Sequence, residues 1–332
     1  MIMYVVLIIA ICILVAALHL YLDKKVIYTN LHNRHVVVTG GSSGIGKAAA
    51  KEAASLGANV TVIGRDVGKL EKAVKEISAK CLDNSKQRIQ YAPLDVTSDY
   101  KTIEDCFTSL ETEIGPIFML INCAGMCICG EFDKMQIEDI KQMIDLNYFG
   151  SAYPTRCVLP KMKKRKEGII VFVSSEAALI GIFGYSAYSA GKWAVRGLAE
   201  AVSMEMVGTG VRMMLSFPPD TDTPGLKEEN LTKPEVTKAI SGTGGLHAPD
   251  IVGKQMIQDA LVGKNYSVYS FSGHLLIIIY GGLIENASQI LTQICFMSCL
   301  RAFLIPTLLS FHNLIRKYRK VTNESEQSQK TK

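Results

Sequence analysis

Short runs of β-branched residues alternate with helical patterns through most of this 332-residue chain. Strands separated by helices form βαβ units, in which the strands run parallel and helices cover both faces of the sheet. The sequence therefore predicts one α/β domain over residues 34–270, built on a doubly wound parallel sheet. Six strands are predicted in it, at His35–Thr39, Val60–Gly64, Ile89–Leu94, Phe118–Cys123, Gly168–Ser174 and Arg212–Phe217.

Composition excludes several classes of protein. A mean hydropathy of +0.20 excludes a disordered chain, which needs low hydrophobicity and a high net charge. The net charge of +5 gives no reason to expect a nucleic-acid partner. Of the nine cysteines, Cys123, Cys127 and Cys129 cluster, but no second Cys or His pair completes a zinc quartet. We therefore predict reduced, buried thiols and no metal site.

The first 22 residues are apolar and contain no Asp, Glu, Lys or Arg. About 20 such residues span a bilayer core as a helix. A cleaved signal peptide needs a basic n-region and a shorter apolar region, so an uncleaved transmembrane anchor over residues 1–22 is favoured. Lys24, Lys25 and Arg34 follow this segment, and the positive-inside rule then places the domain in the cytosol.

Residues 274–311 form a second apolar region, which we predict to associate with the membrane. Arg301 and Pro306 interrupt it, so a hairpin, a re-entrant segment and a single kinked span all remain open. The alternative is a hydrophobic helical cap packed on the domain. The polar tail, residues 312–332, is basic between positions 316 and 320, which suits the cytosolic face of a membrane.

The loop after the first predicted strand is rich in glycine and serine, and it opens a predicted helix. Glycine lets a backbone turn tightly and approach a pyrophosphate closely. The helix N-terminus offers the anion free N–H groups and a positive partial charge. In this strand–turn–helix context the loop predicts a dinucleotide site formed by Gly40, Ser42, Ser43, Gly44, Ile45 and Gly46.

Residues after the second strand indicate which dinucleotide binds. NAD-specific sites place an acid there, which binds the ribose 2′-hydroxyl. Here Arg65 follows the strand and Lys69 comes one helical turn later, so we predict a 2′-phosphate and hence NADP(H). Asp66 is the counter-evidence, and its alternative role is a helix cap. The ends of the third and fourth strands add the candidates Asp95, Val96 and Asn122.

Tyr188 and Lys192 are four positions apart, which places them on one face of a helix. The pKa of a free Tyr is about 10, and a neighbouring ammonium lowers it. The pair therefore predicts a tuned proton donor or acceptor. Ser175 ends the preceding strand and is a candidate to hold a carbonyl oxygen, with Ser174 as the rival, because adjacent strand residues face opposite ways. Asn147 is a fourth candidate, whose alternative role is a buried, hydrogen-bonded amide.

Taken together, these motifs resemble the short-chain dehydrogenase/reductase family in its classical form. The resemblance covers about residues 34–225, and Cys123 departs from it, since the family commonly has a second Asn there. It implies a Rossmann-type fold, an enzyme and a homodimer. The matching residues are Thr39-Gly40-x-x-x-Gly44-x-Gly46, Asn122-x-Ala124-Gly125, Asn147, Ser175 and Tyr188-x-x-x-Lys192.

The resemblance also implies a role for each matching side chain. Tyr188 would be the general acid/base, and Ser175 would polarise the substrate oxygen. Lys192 would lower the pKa of Tyr188 and bind the nicotinamide ribose, so both residues also belong to the cofactor site. Asn147 would hold a water in a proton relay.

Within this family, the stretches Val36–Lys47, Phe172–Ser175 and Pro218–Gly225 resemble those of reductases that use NADPH on a long-chain sphingoid-base ketone. The apolar ends also fit such a membrane enzyme of the endoplasmic reticulum. Asp220 and Asp222, after the sixth strand, are then predicted to bind the substrate ammonium, with Glu176 next. A microsomal steroid or retinoid dehydrogenase of the same family is the alternative. A non-enzymatic NADP(H)-binding membrane protein is a third hypothesis, which the complete catalytic set disfavours.

Overall fold

The computed structural model describes residues 27–283 and 287–330, together with Ala10 and Leu14. Within these residues one parallel sheet contains seven strands, in the spatial order 3-2-1-4-5-6-7. Numbered along the chain, they are β1 His35–Thr39, β2 Asn59–Gly64, β3 Ile89–Pro93, β4 Ile117–Asn122, β5 Gly168–Val173, β6 Val211–Phe217 and β7 Tyr266–Val268.

Strand β1 pairs with β2 on one side and with β4 on the other, both in parallel. The sheet therefore extends outward in two directions from the centre, as a doubly wound sheet does. Ligands bind at this switch point, in the crevice outside the carboxyl ends of the strands. The predicted α/β architecture is confirmed, and it directs attention to the ends of β1 and β4.

Helices connect the strands and cover both faces of the sheet. The helices of the described residues are α1 Gly44–Ser55, α2 Val67–Ser78, α3 Tyr100–Ile114, α4 Ile137–Ile144, α5 Gly150–Arg165, α6 Ser186–Glu205, α7 Pro224–Thr232, α8 Glu235–Ser241, α9 Pro249–Leu261, α10 Phe271–Tyr280 and α11 Ala287–Lys330. A π-helical turn joins α4 to α5, and short 3₁₀ turns lie at Phe132–Lys134, Glu176–Ala178 and Gly242–Gly244.

Two apolar layers form the core, one on each face of the sheet. Val36 and Val38 of β1 pack in the layer that contains the buried alanines of α1. Val37, between them, packs in the opposite layer with Phe107 of α3 and Val195 of α6. Because both faces are covered, the central strands are apolar without alternation, and this composition made them recognisable in the sequence.

The predicted strands agree with the observed ones to within one residue at each end. The sequence predicts the first two helices at Gly46–Leu56 and Lys69–Ala79, and each begins two residues earlier in the structure, at Gly44 and Val67. Strand β7 was not predicted. It has three residues and pairs only with β6, so its sequence is too short to show a pattern.

The C-terminal region contacts the domain. Leu276 and Ile277 of α10 are buried in the core. Near the end of α11, Arg319 forms an ion pair with Glu131, with 3.2 Å between the nitrogen and the oxygen. The predicted polar tail is helical as far as Lys330 and continues α11 without a break. These contacts match the helical-cap alternative, while membrane association of residues 274–311 stays a prediction.

The predicted anchor over residues 1–22 lies outside the described residues, apart from Ala10 and Leu14. In the part of the chain that the structure describes, no helix combines the length and the apolar character that crossing a bilayer requires. The anchor therefore stays a prediction of the sequence.

Candidate active site

A cavity of about 690 Å³ opens at the carboxyl ends of β1, β4 and β5. Part of its lining comes from the loop of residues 40–46, which we call the glycine wall. Another part consists of Tyr185, Asp220 and Glu229, which we call the charged wall. Tyr188 and Lys192 also line this cavity. A single opening thus brings together most of the predicted cofactor and catalytic residues.

The glycine wall has no room for side chains at its glycines. Gly40 has a φ of +65°, and a Cβ there would lie 2.9 Å from the Cα of Ala124. A Cβ on Gly46 would lie 2.5 Å from the carbonyl oxygen of Gly40. The Thr39 hydroxyl accepts hydrogen bonds from the N–H groups of Cys123 and Ala124, at 3.1 and 3.2 Å. These bonds fix the ends of β1 and β4 against each other.

Helix α1 begins in this wall at Gly44. Ser43 precedes it and makes no side-chain capping bond, so the first N–H groups of the helix have no side-chain acceptor from that residue. An uncapped helix N-terminus beside a tight glycine turn fits the pyrophosphate of a dinucleotide. Of the predicted cofactor residues, those of this loop all line the cavity, namely Gly40, Ser42, Ser43, Gly44, Ile45 and Gly46.

The residues predicted to distinguish NADP(H) from NAD(H) belong to the same cavity as the glycine wall. Arg65, Lys69 and Asp95 line it, with Arg65 Nη1 3.7 Å from Asp95 Oδ2 and 67% of the Arg65 side chain exposed. Asp66 accepts a hydrogen bond from the N–H of Lys69 at 3.0 Å and caps α2, which is its alternative role. Arg65 and Lys69 are both largely exposed, and their ion pairs with Asp95 and Asp66 are long, at 3.7 Å each, so both cations are accessible to a phosphate.

Two other cofactor candidates differ in position. Val96 lines the cavity, whereas Asn122 is not among the lining residues. The Asn122 amide is buried and donates to the Thr155 hydroxyl at 2.9 Å. Asn122 thus holds β4 against α5 from behind the cavity.

Tyr188 and Lys192 lie one turn apart on α6, as their spacing predicted. The Lys192 nitrogen is 5.8 Å from the centre of the Tyr188 ring and donates to the carbonyl oxygen of Val173 at 3.0 Å. Burial lowers the pKa of Lys192 to about 8. This lysine is therefore a buried, oriented group whose charge is sensitive to pH near neutrality.

The structure differs from the expectation that Lys192 lowers the pKa of Tyr188. Burial raises the pKa of Tyr188 well above its ordinary value, and the nearby Cys127 and Glu229 raise it further. A hydrogen bond with Ser175 opposes them. The physical reason is that the phenol lies in an apolar, acid-lined part of the cavity, where a phenolate is disfavoured. Tyr188 is therefore protonated at neutral pH.

The two candidate serines have different partners. The Ser174 hydroxyl donates to the carbonyl oxygen of Lys192 at 3.0 Å and is buried. The Ser175 oxygen accepts from the N–H of Ala177 at 3.2 Å, and its hydroxyl bonds to Tyr188. Both line the cavity. The geometry favours Ser175 for contact with a substrate and Ser174 for support of α6.

Asn147 lies in the π-helical turn and is fully buried. Its amide donates to the carbonyl oxygen of Met126 at 2.9 Å and accepts from the Met126 N–H at 3.2 Å. It is not among the residues that line the cavity. Its observed contacts therefore match the structural alternative, and a role in a proton relay stays a prediction.

The predicted substrate aspartates separate in the structure. Asp220 lines the cavity, and its Oδ2 accepts from Lys233 at 3.2 Å and from Ser241 at 2.9 Å. Asp222 is not a lining residue and forms an exposed ion pair with Lys227 at 3.4 Å. Of the two, only Asp220 is positioned to face a substrate.

Glu176, the next candidate for the substrate ammonium, also lines the cavity. It accepts a hydrogen bond from Ser270, the residue that caps α10. Burial raises the pKa of Glu176 above its ordinary value. This carboxylate thus ties the end of β5 to the C-terminal region.

Two members of the charged wall, Tyr185 and Glu229, were not predicted from the sequence. Glu229 accepts hydrogen bonds from Lys233, at 2.9 Å, and from the Tyr185 hydroxyl. The ring centres of Tyr185 and Tyr188 are 5.4 Å apart, so this group adjoins the catalytic phenol. The i,i+4 spacing of Glu229 and Lys233 was the available signal, since it predicts an ion pair at a helix end.

Two cysteines lie beside Glu229. The Sγ atoms of Cys127 and Cys129 are 3.7 Å apart, and the three potential ligand groups lie within 4.8 Å of one another. Burial raises the pKa of the Cys127 thiol far above its ordinary value, so it stays protonated. Glu229 is paired with the Lys233 ammonium at 2.9 Å. The grouping was not expected from the sequence, but it favours a packed thiol pair.

Comparison with known proteins assigns the family. A family model described as short chain dehydrogenase matches residues 34–234. The chain belongs to this family. It is therefore an oxidoreductase that acts on a ketone or alcohol group, and its Ser175, Tyr188 and Lys192 meet in one cavity with the glycine wall.

The chain is also similar to individual members of the family. It is 43% identical over 289 residues to the 3-dehydrosphinganine reductase of Danio rerio, covering 86% of this chain and 87% of that protein. It is 41% identical, with the same coverage, to the 3-ketodihydrosphingosine reductase of Mus musculus. A metagenomic short-chain oxidoreductase solved in complex with NADP is 30% identical, with a TM-score of 0.53, covering 57% of this chain and 83% of that one.

Proposed function

We propose that this protein reduces the 3-keto group of 3-ketodihydrosphingosine with NADPH, giving dihydrosphingosine. The observation that carries the proposal is the meeting of Ser175, Tyr188 and Lys192 in one cavity with a glycine wall. The names of the similar proteins from fish and mouse support the substrate, since both are reductases of this ketone. The acidic charged wall favours a cationic substrate over a neutral steroid or retinoid.

NADPH, when bound, supplies the hydride. The glycine wall and the N-terminus of α1 would hold its pyrophosphate, and Lys192 would contact the ribose. Arg65 and Lys69 would bind the 2′-phosphate, and Asp95 would accept from the adenine amino group. The NADP complex of the similar metagenomic enzyme supports this choice of cofactor.

Tyr188 supplies the proton. Its raised pKa keeps the phenol protonated at neutral pH, which suits a group that donates from Oη to the developing alkoxide during reduction. Ser175 would hold the carbonyl oxygen beside that phenol. A positioned general acid of this kind contributes about 10²–10⁴-fold to the rate.

We also propose a location for this reaction. Residues 1–22 would anchor the protein in the endoplasmic reticulum membrane, with the catalytic domain, residues 34–270, facing the cytosol, and residues 274–311 would lie at the bilayer. The long alkyl chain of the substrate partitions into lipid, so an enzyme held at the membrane meets this substrate where it is concentrated. Alkaline extraction and protease accessibility of microsomes test the anchor and its orientation, and cross-linking tests the homodimer that the family resemblance implies.

The function is tested by NADPH consumption in detergent with 3-ketodihydrosphingosine, a keto-steroid and retinal as parallel substrates. We expect turnover of the sphingoid ketone at a kcat/KM at least tenfold above the other two. Preference for the steroid or retinal would replace the proposal with the alternative. Binding of NADPH without turnover of any of the three would favour a non-enzymatic role.

A further inference from the structure

The charged wall and the lysine that pairs with it contain more negative than positive groups. Two carboxylates, Asp220 and Glu229, share one ammonium, that of Lys233. Burial by itself would lower the pKa of Lys233, but the two adjacent carboxylates raise it above its ordinary value, so this ammonium keeps its charge. One negative charge therefore remains uncompensated within the group.

The ammonium lies behind the carboxylates. The Lys233 side chain is 1% exposed, and it is not among the residues that line the cavity, whereas Asp220 and Glu229 both are. Each carboxylate thus presents one side to Lys233 and another to the cavity. The excess negative charge is accessible to a molecule in the cavity.

Each carboxylate also keeps one oxygen free. Asp220 uses Oδ2 for both Lys233 and Ser241. Glu229 uses Oε1 for both Lys233 and Tyr185. Among the described residues, no hydrogen-bond donor is found for Asp220 Oδ1 or Glu229 Oε2. An ammonium has three donors and matches two such acceptors.

The group lies close to the reaction. Tyr185 connects Glu229 to Tyr188 by a hydrogen bond and a ring contact of 5.4 Å. Glu229 is also the carboxylate that raises the pKa of Tyr188 most, ahead of Asp220. In an α-amino ketone the nitrogen is bonded to the carbon next to the carbonyl. A counter-charge for that nitrogen must therefore lie within a few ångströms of the proton donor.

We infer that Glu229, with Asp220 beside it, binds the ammonium of the substrate and selects α-amino ketones over neutral ketones. This inference rests on the proposed function. It adds Glu229 as a specificity-determining residue, which was not among the substrate-binding candidates predicted from the sequence. Glu229 lies on α7 and Asp220 precedes this helix, so the segment after β6 that lines the cavity also provides the counter-charge. Asp222 takes no part, because its side chain lies outside the cavity.

The test compares two ketones on the variant Glu229→Gln. One is 3-ketodihydrosphingosine, and the other is the same long-chain ketone without its amino group. We expect KM for the amino ketone to rise on the order of 10- to 100-fold, as for loss of a hydrogen bond to a charged group. KM for the deaminated ketone should stay within twofold. Any change in kcat should be the same for both ketones, because the charge of Glu229 acts on the pKa of Tyr188 whichever ketone is bound.

Two further variants keep the test decisive. Asp220→Asn should show the same selective rise in KM to a smaller degree, and it provides the answer if Glu229→Gln does not fold. Glu235→Gln removes an exposed carboxylate that pairs only with Lys238 and does not line the cavity, so it should change neither KM. NADPH affinity, measured for each variant by fluorescence, verifies that the cavity is intact.

An equal rise in KM for both ketones, or no rise for either, would overturn the inference while leaving the proposed function standing. If the wild-type protein reduces the deaminated ketone but not 3-ketodihydrosphingosine, the proposed function itself fails. The wild-type comparison thus separates the two failures.

Discussion

The two walls of the cavity are built in different ways. The glycine wall is shaped mainly by its backbone, through positive φ angles and through close approaches at its glycines that exclude a Cβ. The charged wall is made of side chains from the residue before α6, the loop after β6 and helix α7, which hydrogen-bond across 44 sequence positions between Tyr185 and Glu229. One wall is local in sequence, and the other is formed only by the fold.

The difference suggests that the two walls bind different molecules. A backbone wall cannot vary much without losing its turn, and it meets the part of the cofactor that every member of the family must hold. A side-chain wall can change residue by residue, and it meets the substrate. We therefore expect substitutions on the glycine wall to affect cofactor binding, and substitutions on the charged wall to affect substrate choice.

The largest effect on activity is expected at Tyr188, which lines the cavity together with both walls. Tyr188→Phe removes the proton donor and should lower kcat by about 10²–10⁴-fold, with the NADPH dissociation constant within threefold of wild type. Stopped-flow turnover and cofactor fluorescence measure the two quantities. Tyr185→Phe is the matched control, since it removes a hydroxyl that contacts Glu229 and leaves the Tyr188 hydroxyl in place. Comparable loss of kcat in both variants would contradict the assignment.

On the glycine wall, Gly46→Ala places a Cβ 2.5 Å from the carbonyl oxygen of Gly40. Overpacking of this kind costs about 1–3 kcal/mol, so we expect NADPH affinity to fall on the order of tenfold or more. Gly68→Ala is the control, because the nearest atom to its added Cβ is 3.6 Å away. Titration calorimetry of both variants decides the matter. Unchanged affinity in Gly46→Ala would show that the wall tolerates side chains.

Arg65 tests which cofactor the glycine end of the cavity prefers. Arg65→Ala removes a guanidinium from the predicted 2′-phosphate site, and NADPH affinity should fall about tenfold, as expected for one charge-assisted bond at an exposed site. NADH, which has no 2′-phosphate, should bind as before. Parallel titrations with the two cofactors check this, and equal losses would assign Arg65 a structural role through Asp95.

The charge of Lys192 predicts a dependence on pH. Its pKa is lowered from 10.5 to about 8, so the ammonium is lost as the pH rises through about 8. NADPH affinity should then decline several-fold between pH 7 and pH 9. In Lys192→Arg, whose side chain stays charged at these values, the affinity should not change with pH.

Loss of stability through this lysine cannot account for the decline in NADPH affinity. Because the folded state lowers the pKa of Lys192, it binds the proton less tightly than the unfolded chain does. Through this group, stability therefore rises between about pH 8 and pH 10.5. A melting temperature that falls in parallel with the affinity would contradict the explanation.

The contrast between the walls also explains what the sequence could predict. Gly40, Gly44 and Gly46 were recognisable because a turn between a strand and a helix is encoded in adjacent residues. Tyr188 and Lys192 were recognisable because one helical turn separates them.

The other features of the site depend on tertiary contacts, which the sequence does not show. Asn122 and Asn147 are hydrogen-bonded behind the cavity to Thr155 and Met126, partners that lie 33 and 21 positions away. Glu229 was missed because its importance depends on Tyr185, which lies 44 positions away at the start of another helix. The high pKa of Tyr188 was also missed, because burial, which outweighs the lysine one turn away, cannot be read from spacing.

The smallest effect is expected at Asp222, which the sequence ranked equal to Asp220. Asp222→Asn breaks only an exposed ion pair with Lys227, whose side chains are 55% and 74% exposed. Such pairs contribute about 0–1 kcal/mol to stability. KM for 3-ketodihydrosphingosine should stay within twofold of wild type, and the melting temperature should change by about 2 °C or less. A KM shift as large as that of Glu229→Gln would mean that long-range negative charge attracts the substrate. The distinction between a local charged wall and the general acidity of this loop would then be lost.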